Sequence, residues 1–166
     1  KLNKLIMSDS SARSAFGSSK IEFLLLDKYK GKLSGCTLVT GFYGIGKVGF
    51  ISVNHMVEKL GAERIGAILS DFLPPFLSVK NDNLVLPFEI YKYQDIIFLS
   101  AFFEPYKYEH RSFARALVKW AKKNELSHSI LIGGLDSRLK TEDELLAKGV
   151  YSSKFKEKFK SLPVPI

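Results

Sequence analysis

Residues 36–49 read Cys36-Thr-Leu-Val-Thr-Gly-Phe-Tyr-Gly-Ile-Gly-Lys-Val-Gly49. An apolar run of strand length passes into a glycine turn, and an apolar helical pattern follows. The stretch comes one residue short of the phosphate-binding loop G-x-x-x-x-G-K-[ST]. Gly41, Gly46 and Lys47 hold the required spacing, but the hydroxyl position is Val48. Valine cannot ligate the Mg²⁺ on which phosphoryl transfer depends. Two readings stay open. In one, Gly41, Gly44, Gly46 and Lys47 cradle phosphate through backbone N–H groups at a helix N-terminus. In the other, which we favour, these glycines serve turns and close packing, and Gly49 lets the helix approach the sheet. No second nucleotide motif supports the first reading. Ile96–Leu99 runs into Ser100 and Ile130–Ile132 into Gly133, so neither apolar strand ends in the aspartate a nucleotide site would use.

Working outward, Ile21–Leu26 reads as a short strand and Lys28–Gly35 as a connection. The helix after the turn spans about Gly46 to Leu60, with Phe50, Val53, Val57 and Leu60 on one face. Val48, Ile51 and Met56 add apolar surface elsewhere around it, so it is expected to pack on a sheet and also against another body. Gly61 is its expected C-cap. Arg64–Leu69 reads as a strand, and Asp71–Pro75 as a turn. An Asn/Asp-rich turn at Lys80–Asn83 predicts a hairpin whose second arm, Leu84–Tyr91, is demoted to an edge or irregular strand by Pro87. Asp95–Ser100 is a further strand, Tyr106–Asn124 a second helix burying Phe113, Leu117, Trp120 and Ala121, and His128–Ile132 a last strand. A short helix opens at Thr141, and Phe155, Phe159 and Leu162 share a face of a lysine-rich segment. This alternation predicts an α/β domain: a mostly parallel sheet flanked by helices, with an antiparallel hairpin excursion. Residues 1–19 are expected to form a flexible serine-rich leader, and 20–166 a single α/β domain.

Composition narrows the function classes. Of 166 residues, 46% are hydrophobic, enough for a real core. No apolar run reaches the roughly 18 to 20 residues of a membrane span, and no signal-peptide order is visible. One cysteine, Cys36, excludes an intramolecular disulfide and fits a reducing, cytoplasmic setting. Three scattered histidines leave no zinc cage, so neither metal nor cofactor is expected. Catalytic constellations are thin: His55, within the apolar helix, reads as a partnered structural residue, and His110 and His128 lack local companions. Glu104 with Glu109 as acid and base stands against the commoner case of a partly exposed glutamate in a strand-to-helix connection. The formal net charge is +8. Much of it recurs at Lys107, Arg111, Arg115 and Lys119, one face of the second helix, with Lys122 and Lys123 beyond. That face is either plain solvated surface or a site for an acidic partner. Nucleic acid is the weaker reading, because no aromatic-interleaved basic motif or helix-turn-helix pair appears.

Leu38-Val-Thr-Gly-Phe-Tyr-Gly-Ile-Gly-Lys-Val-Gly49 resembles the glycine turn of the proteasome assembly chaperone family, in its archaeal or bacterial branch. Leu60-Gly-Ala-Glu-Arg-Ile-Gly66, the proline turn at Asp71–Pro75, Asp95–Ser100, Phe113–Trp120 and Ile130–Leu135 follow in the family's order. The resemblance implies a nucleoside-phosphorylase-like α/β sandwich, no catalysis, proteasome α subunits as partners and a homo-oligomer. On this view Phe50, Val53, Met56 and Val57 are candidates for self-association. Lys107, Arg111, Arg115 and Lys119, with the segment Phe155–Leu162, are candidates for the partner surface. The chain departs from the family in ending Pro163-Val-Pro-Ile166, without the penultimate tyrosine that some members insert into α-ring pockets. Family members also carry further sequence, so C-terminal incompleteness is an expectation as well.

Overall fold

The computed structural model describes residues 20–73, 78–80, 83–136, 138, 150 and 152. The leader, the Thr141 helix, the Phe155–Leu162 segment and the C-terminal prolines lie outside the described residues. The chain divides into two compact units, Lys1–Gly134 and Leu135–Ile166. Within the second, Asp136 pairs with Arg138 at 2.5 Å. The strands and helices of the described residues all lie in the first.

Its strands are β1 (Ile21–Leu25), β2 (Thr37–Gly41), β3 (Glu63–Ser70), β4 (Ser78–Lys80), β5 (Asn83–Val85), β6 (Phe88–Tyr93), β7 (Ile96–Ala101) and β8 (His128–Ile132). Its helices are α1 (Val48–Leu60) and α2 (His110–Lys123). Six strands form one sheet in the order β1-β3-β6-β7-β2-β8, and β4 pairs with β5 in a separate small sheet. The hairpin excursion is therefore present, with Lys80 opposite Asn83.

The expectation of a mostly parallel sheet is corrected. Among the described residues only β2–β7 and β2–β8 are parallel ladders. The pairings β1–β3, β3–β6 and β6–β7 are antiparallel. The cause is local. The ladder from Tyr93 to Ile96 leaves only Gln94 and Asp95 as loop, and Gln94 adopts φ 50°. A two-residue connection joins antiparallel neighbours only; a parallel pair needs a crossover. The strands entered or left through α1 and α2 (β2, β3, β7 and β8) do point one way, as the alternation implies. β1 and β6 run against them and set the character of the sheet. Pro87 breaks its arm between β5 and β6, as the irregular-strand reading has it, but does not put β6 at an edge. It lies just ahead of β6, where its missing N–H breaks no ladder, and its carbonyl accepts from Phe102 N at 2.9 Å. β6 is consequently an interior strand.

Side-chain alternation along the strands sorts the core into two layers. Leu38, Ile97 and Leu99 face α2, packing with Ile65, Ile68, Ile90, Phe113 and Trp120. Val39 and Phe98 face α1 and meet Val53. One helix thus covers each face of the sheet. Gly61 caps α1 in the left-handed conformation (φ 62°, ψ 39°), as its position after Leu60 leads one to expect.

Candidate partner-docking surface

The glycine turn is built around one close contact. A Cβ on Gly49 would stand 2.4 Å from the carbonyl oxygen of Ile132, and one on Gly41 2.4 Å from the carbonyl oxygen of Gly49. These two positions let the first turn of α1 lie directly on the ends of β2 and β8. Between them, Ile45–Lys47 forms a single 3₁₀ turn, with Gly46 at φ 65° and Lys47 at φ 56°. Gly44 is extended (φ −149°), with open space around its α-carbon. Residues 44–48 are exposed. Lys47 Nζ sits 5.1 Å above the ring of Tyr43.

The apolar residues of α1 divide by depth. Val53 is fully buried against the sheet, and Met56 and Val57 are half-buried in the same cluster. Phe50 is half-buried among aromatic rings, 4.6 Å from Tyr43 and 5.4 Å from Phe102. On α1 and the turn before it, the exposed large apolar side chains are Ile45, Val48, Ile51 and Leu60.

On the opposite face α2 is strongly two-sided. Trp120 stacks on Phe23 of β1 at 4.9 Å, and Phe113 lies 5.0 Å from Phe88. These anchors turn Arg111, Arg115 and Lys119 outward, all exposed. None of the three forms an ion pair with a described residue. Ala114, Arg115, Val118, Lys119 and Lys122 line a shallow, open groove of about 500 Å³ along the helix. Lys107 precedes the helix, with Nζ 4.9 Å above the ring of Tyr108. Tyr106 stacks on Phe72 at 5.7 Å, and both tyrosines remain half-exposed. Arg111, Arg115 and Lys119 thus share the outer face of α2, while Lys107, Tyr106 and Tyr108 are exposed in the turn that precedes it. The sequence reading missed these two aromatics because it began the helix at Tyr106. They occupy the turn before His110, where rings lie over the protein surface.

The acid–base candidates are not brought together. Glu104 is exposed, whereas Glu109 is buried and accepts from Ser70 Oγ at 2.5 Å. His110 Nε2 is tied to the Pro105 carbonyl and His128 Nδ1 to Ser127 Oγ, while His55 is exposed. Among the described residues no cluster of His, Cys, Asp or Glu could hold a metal ion. Nor is any described helix long and apolar enough to cross a membrane.

A polar network had no sequence signal. Glu89, 1% exposed, accepts from Arg64 Nη1 at 2.9 Å, from Tyr91 Oη at 2.6 Å and from Leu86 N at 3.2 Å. Arg64 also donates to the Leu84 carbonyl, which ties β5 to the main sheet. Burial, reinforced by the hydrogen bond to Glu89, pushes the Tyr91 phenol above its ordinary range. These groups line a cavity of about 420 Å³ with Asn54, Glu58 and Phe102. The Arg64–Glu89 pair joins the neighbouring strands β3 and β6 of the main sheet, and it is the Arg64 bond to the Leu84 carbonyl that reaches the small sheet.

Comparison with known proteins follows this geometry. In the solved structures, PbaA of Pyrococcus furiosus, described as an archaeal homologue of proteasome-assembly chaperone, superposes with a TM-score of 0.74 at 21% identity. The match covers 89% of this chain and 63% of PbaA. A Thermoplasma acidophilum protein of unknown function gives 0.65 at 17% identity, over 84% of this chain and 58% of its own. Pyrococcus furiosus PbaB, described as an archaeal proteasome activator, gives 0.59 at 15%, over 90% and 66%. The chain therefore spans about three fifths of the length of these structures, and they share its fold. A search of curated proteins finds no significant match. The profile of the PAC2 family matches residues 38–162, which takes in the glycine turn, both helices and the sheet from β2 to β8. The chain belongs to the PAC2 family.

Proposed function

We propose that this protein is a non-enzymatic, assembly-chaperone-like factor that docks transiently on proteasome α subunits and blocks wrong contacts until the correct ones form. The observation that carries this reading is the family match over residues 38–162, joined to the fold shared with PbaA. Its surface chemistry supports the same reading. A transient docking factor needs exposed, unpaired side chains on a rigid element, and α2 offers Arg111, Arg115 and Lys119, with Tyr106, Lys107 and Tyr108 at its start. The proposal includes a cytoplasmic setting and a homo-oligomer. For self-association, Ile45, Val48, Ile51 and Leu60 are the accessible apolar residues of α1 and its turn; Phe50, Met56 and Val57 are half-buried, and Val53 anchors the helix to the sheet.

Native mass spectrometry tests the proposal, with the protein alone and mixed with proteasome α subunits from the same organism. A defined complex with free α subunits, absent with assembled core particles, is the expected result. A clean oligomer that ignores α subunits in both states would overturn it.

A further inference from the structure

We infer that the outer face of α2 is a docking site for an acidic amphipathic helix of a partner protein, whose apolar stripe seats on Ala114 and Val118 and whose carboxylates meet Arg115, Lys119 and Lys122. The inference deepens the docking reading above, on which it rests in taking the occupant to be a protein. Four observations carry it. First, Ala114 and Val118 stand four residues apart and therefore share a stripe one helical turn long. Val118 is 54% exposed, although an apolar side chain gains nothing from water. Second, the groove is lined by these two residues together with three cations, so its apolar strip has a charged border. Third, Arg115, Lys119 and Lys122 make no ion pair with any described residue, which leaves their charge available for a partner. Fourth, α2 has 14 residues, about 21 Å, room for roughly four turns of a second helix. Alanine at position 114 permits the close approach that helix packing at about 8–10 Å requires.

Charge complementarity selects this occupant over the other anionic surfaces. A nucleic-acid backbone would use the cations but would desolvate Val118 without any apolar contact in return. A membrane surface wants large side chains that reach the acyl boundary, and alanine and valine are too short to do so. A helix with leucines along one stripe and glutamates along one flank satisfies both the strip and its border.

The experiment measures fluorescence anisotropy of the full chain with a labelled, stapled helical peptide of about four turns carrying that pattern. A scramble of the same composition, a DNA duplex and phosphatidylserine vesicles serve as competitors. The expected result is binding that the scramble reproduces at least about tenfold more weakly. Arg115→Glu with Lys119→Glu, and separately Val118→Asp, should each weaken it about tenfold. Unchanged Trp120 fluorescence would show that the variants are folded. Equal binding of scramble and peptide, tighter binding of DNA or vesicles, or insensitivity to Val118→Asp would each overturn the inference. The same variants separate it from the parent reading. If α subunits bind wild type and variants alike, the docking function stands and this site falls. If α subunits never bind while the peptide does, the reverse holds.

Discussion

Gly49→Ala should destabilise the fold, although alanine is the better helix former. The new Cβ would lie 2.4 Å from the Ile132 carbonyl oxygen, and ordinary contact begins near 3.4 Å. Both atoms belong to backbone, so the helix must retreat by about 1 Å. Val53, one turn on and fully buried, then loses a quarter to a half of its dispersion contacts. With about 40 contacts at about 0.1 kcal/mol each, that is about 1–2 kcal/mol. Met56 and Val57, half-buried in the same cluster, add about as much again. Replacing glycine returns at most about 1 kcal/mol of helix propensity. The net cost is about 1–3 kcal/mol, the usual scale of overpacking, or a fall of about 3–10 °C in Tm. Gly44→Ala is the control. Its φ is ordinary and its surroundings are open, so stability should stay level or rise by up to about 1 kcal/mol. Urea unfolding followed through Trp120, the single tryptophan, buried and stacked on Phe23, reads both variants. A Gly49→Ala protein as stable as the parent would refute the account of the turn as a packing device.

Three further outcomes are expected. Thr40 is 6% exposed and its hydroxyl has no hydrogen-bond partner among the described residues, so the isosteric Thr40→Val should raise stability by about 1 kcal/mol in the same urea assay. The Tyr91 phenol is raised above its ordinary value of 10.0 by burial first and by Glu89 second, so the folded state holds that proton more tightly than the unfolded chain. Its contribution is complete below about pH 10 and is lost as pH climbs through the folded value; melting temperatures from pH 9 to 12 should therefore fall more steeply in wild type than in Tyr91→Phe. Calorimetry with ATP, with and without Mg²⁺, should show no binding at Gly41–Lys47, and micromolar affinity lost in Lys47→Ala would restore the phosphate-loop reading.

Where the sequence was legible, a residue type met a backbone requirement that few others satisfy. Gly61 follows the last apolar residue of α1 and takes the left-handed cap. The glycine turn between an apolar run and a helical pattern placed β2 and α1 together, and the spacing of Phe113, Leu117, Trp120 and Ala121 gave the buried face of α2. The β6–β7 hairpin lacked such a signature. Its turn puts Gln94 at φ 50°, a conformation ordinarily signalled by Asn or Gly. With that turn unread, the alternation of strands and helices pointed to a parallel sheet. Pro87 was legible in part: it signals the break between β5 and β6, but a proline inside a strand and one a residue ahead of it look alike in sequence, so the interior place of β6 was not.

The candidate surface was legible for a different reason. Cations spaced by four on a helix must share a face, and once Phe113 and Trp120 are committed to the core that face must be the outer one. Periodicity therefore located Arg111, Arg115 and Lys119. On α1 it also put Val53 with Phe50 and Val57 on one stripe and Ile51 off it, but it put on that stripe Leu60, which is exposed, and periodicity alone does not say which side of the helix lies on the sheet. The distinction comes from Gly41 and Gly49. They fix which side of α1 touches β2 and β8, and every other residue of the helix follows from that contact. The same logic links the turn to function in a way the phosphate-loop reading does not. If the glycines orient α1, then Gly49→Ala should disturb any self-association through Ile45, Val48 and Ile51 while leaving docking through α2, on the far face of the sheet, intact. Loss of both together would mean that the two surfaces are not separable and that the turn does more than set the angle of one helix.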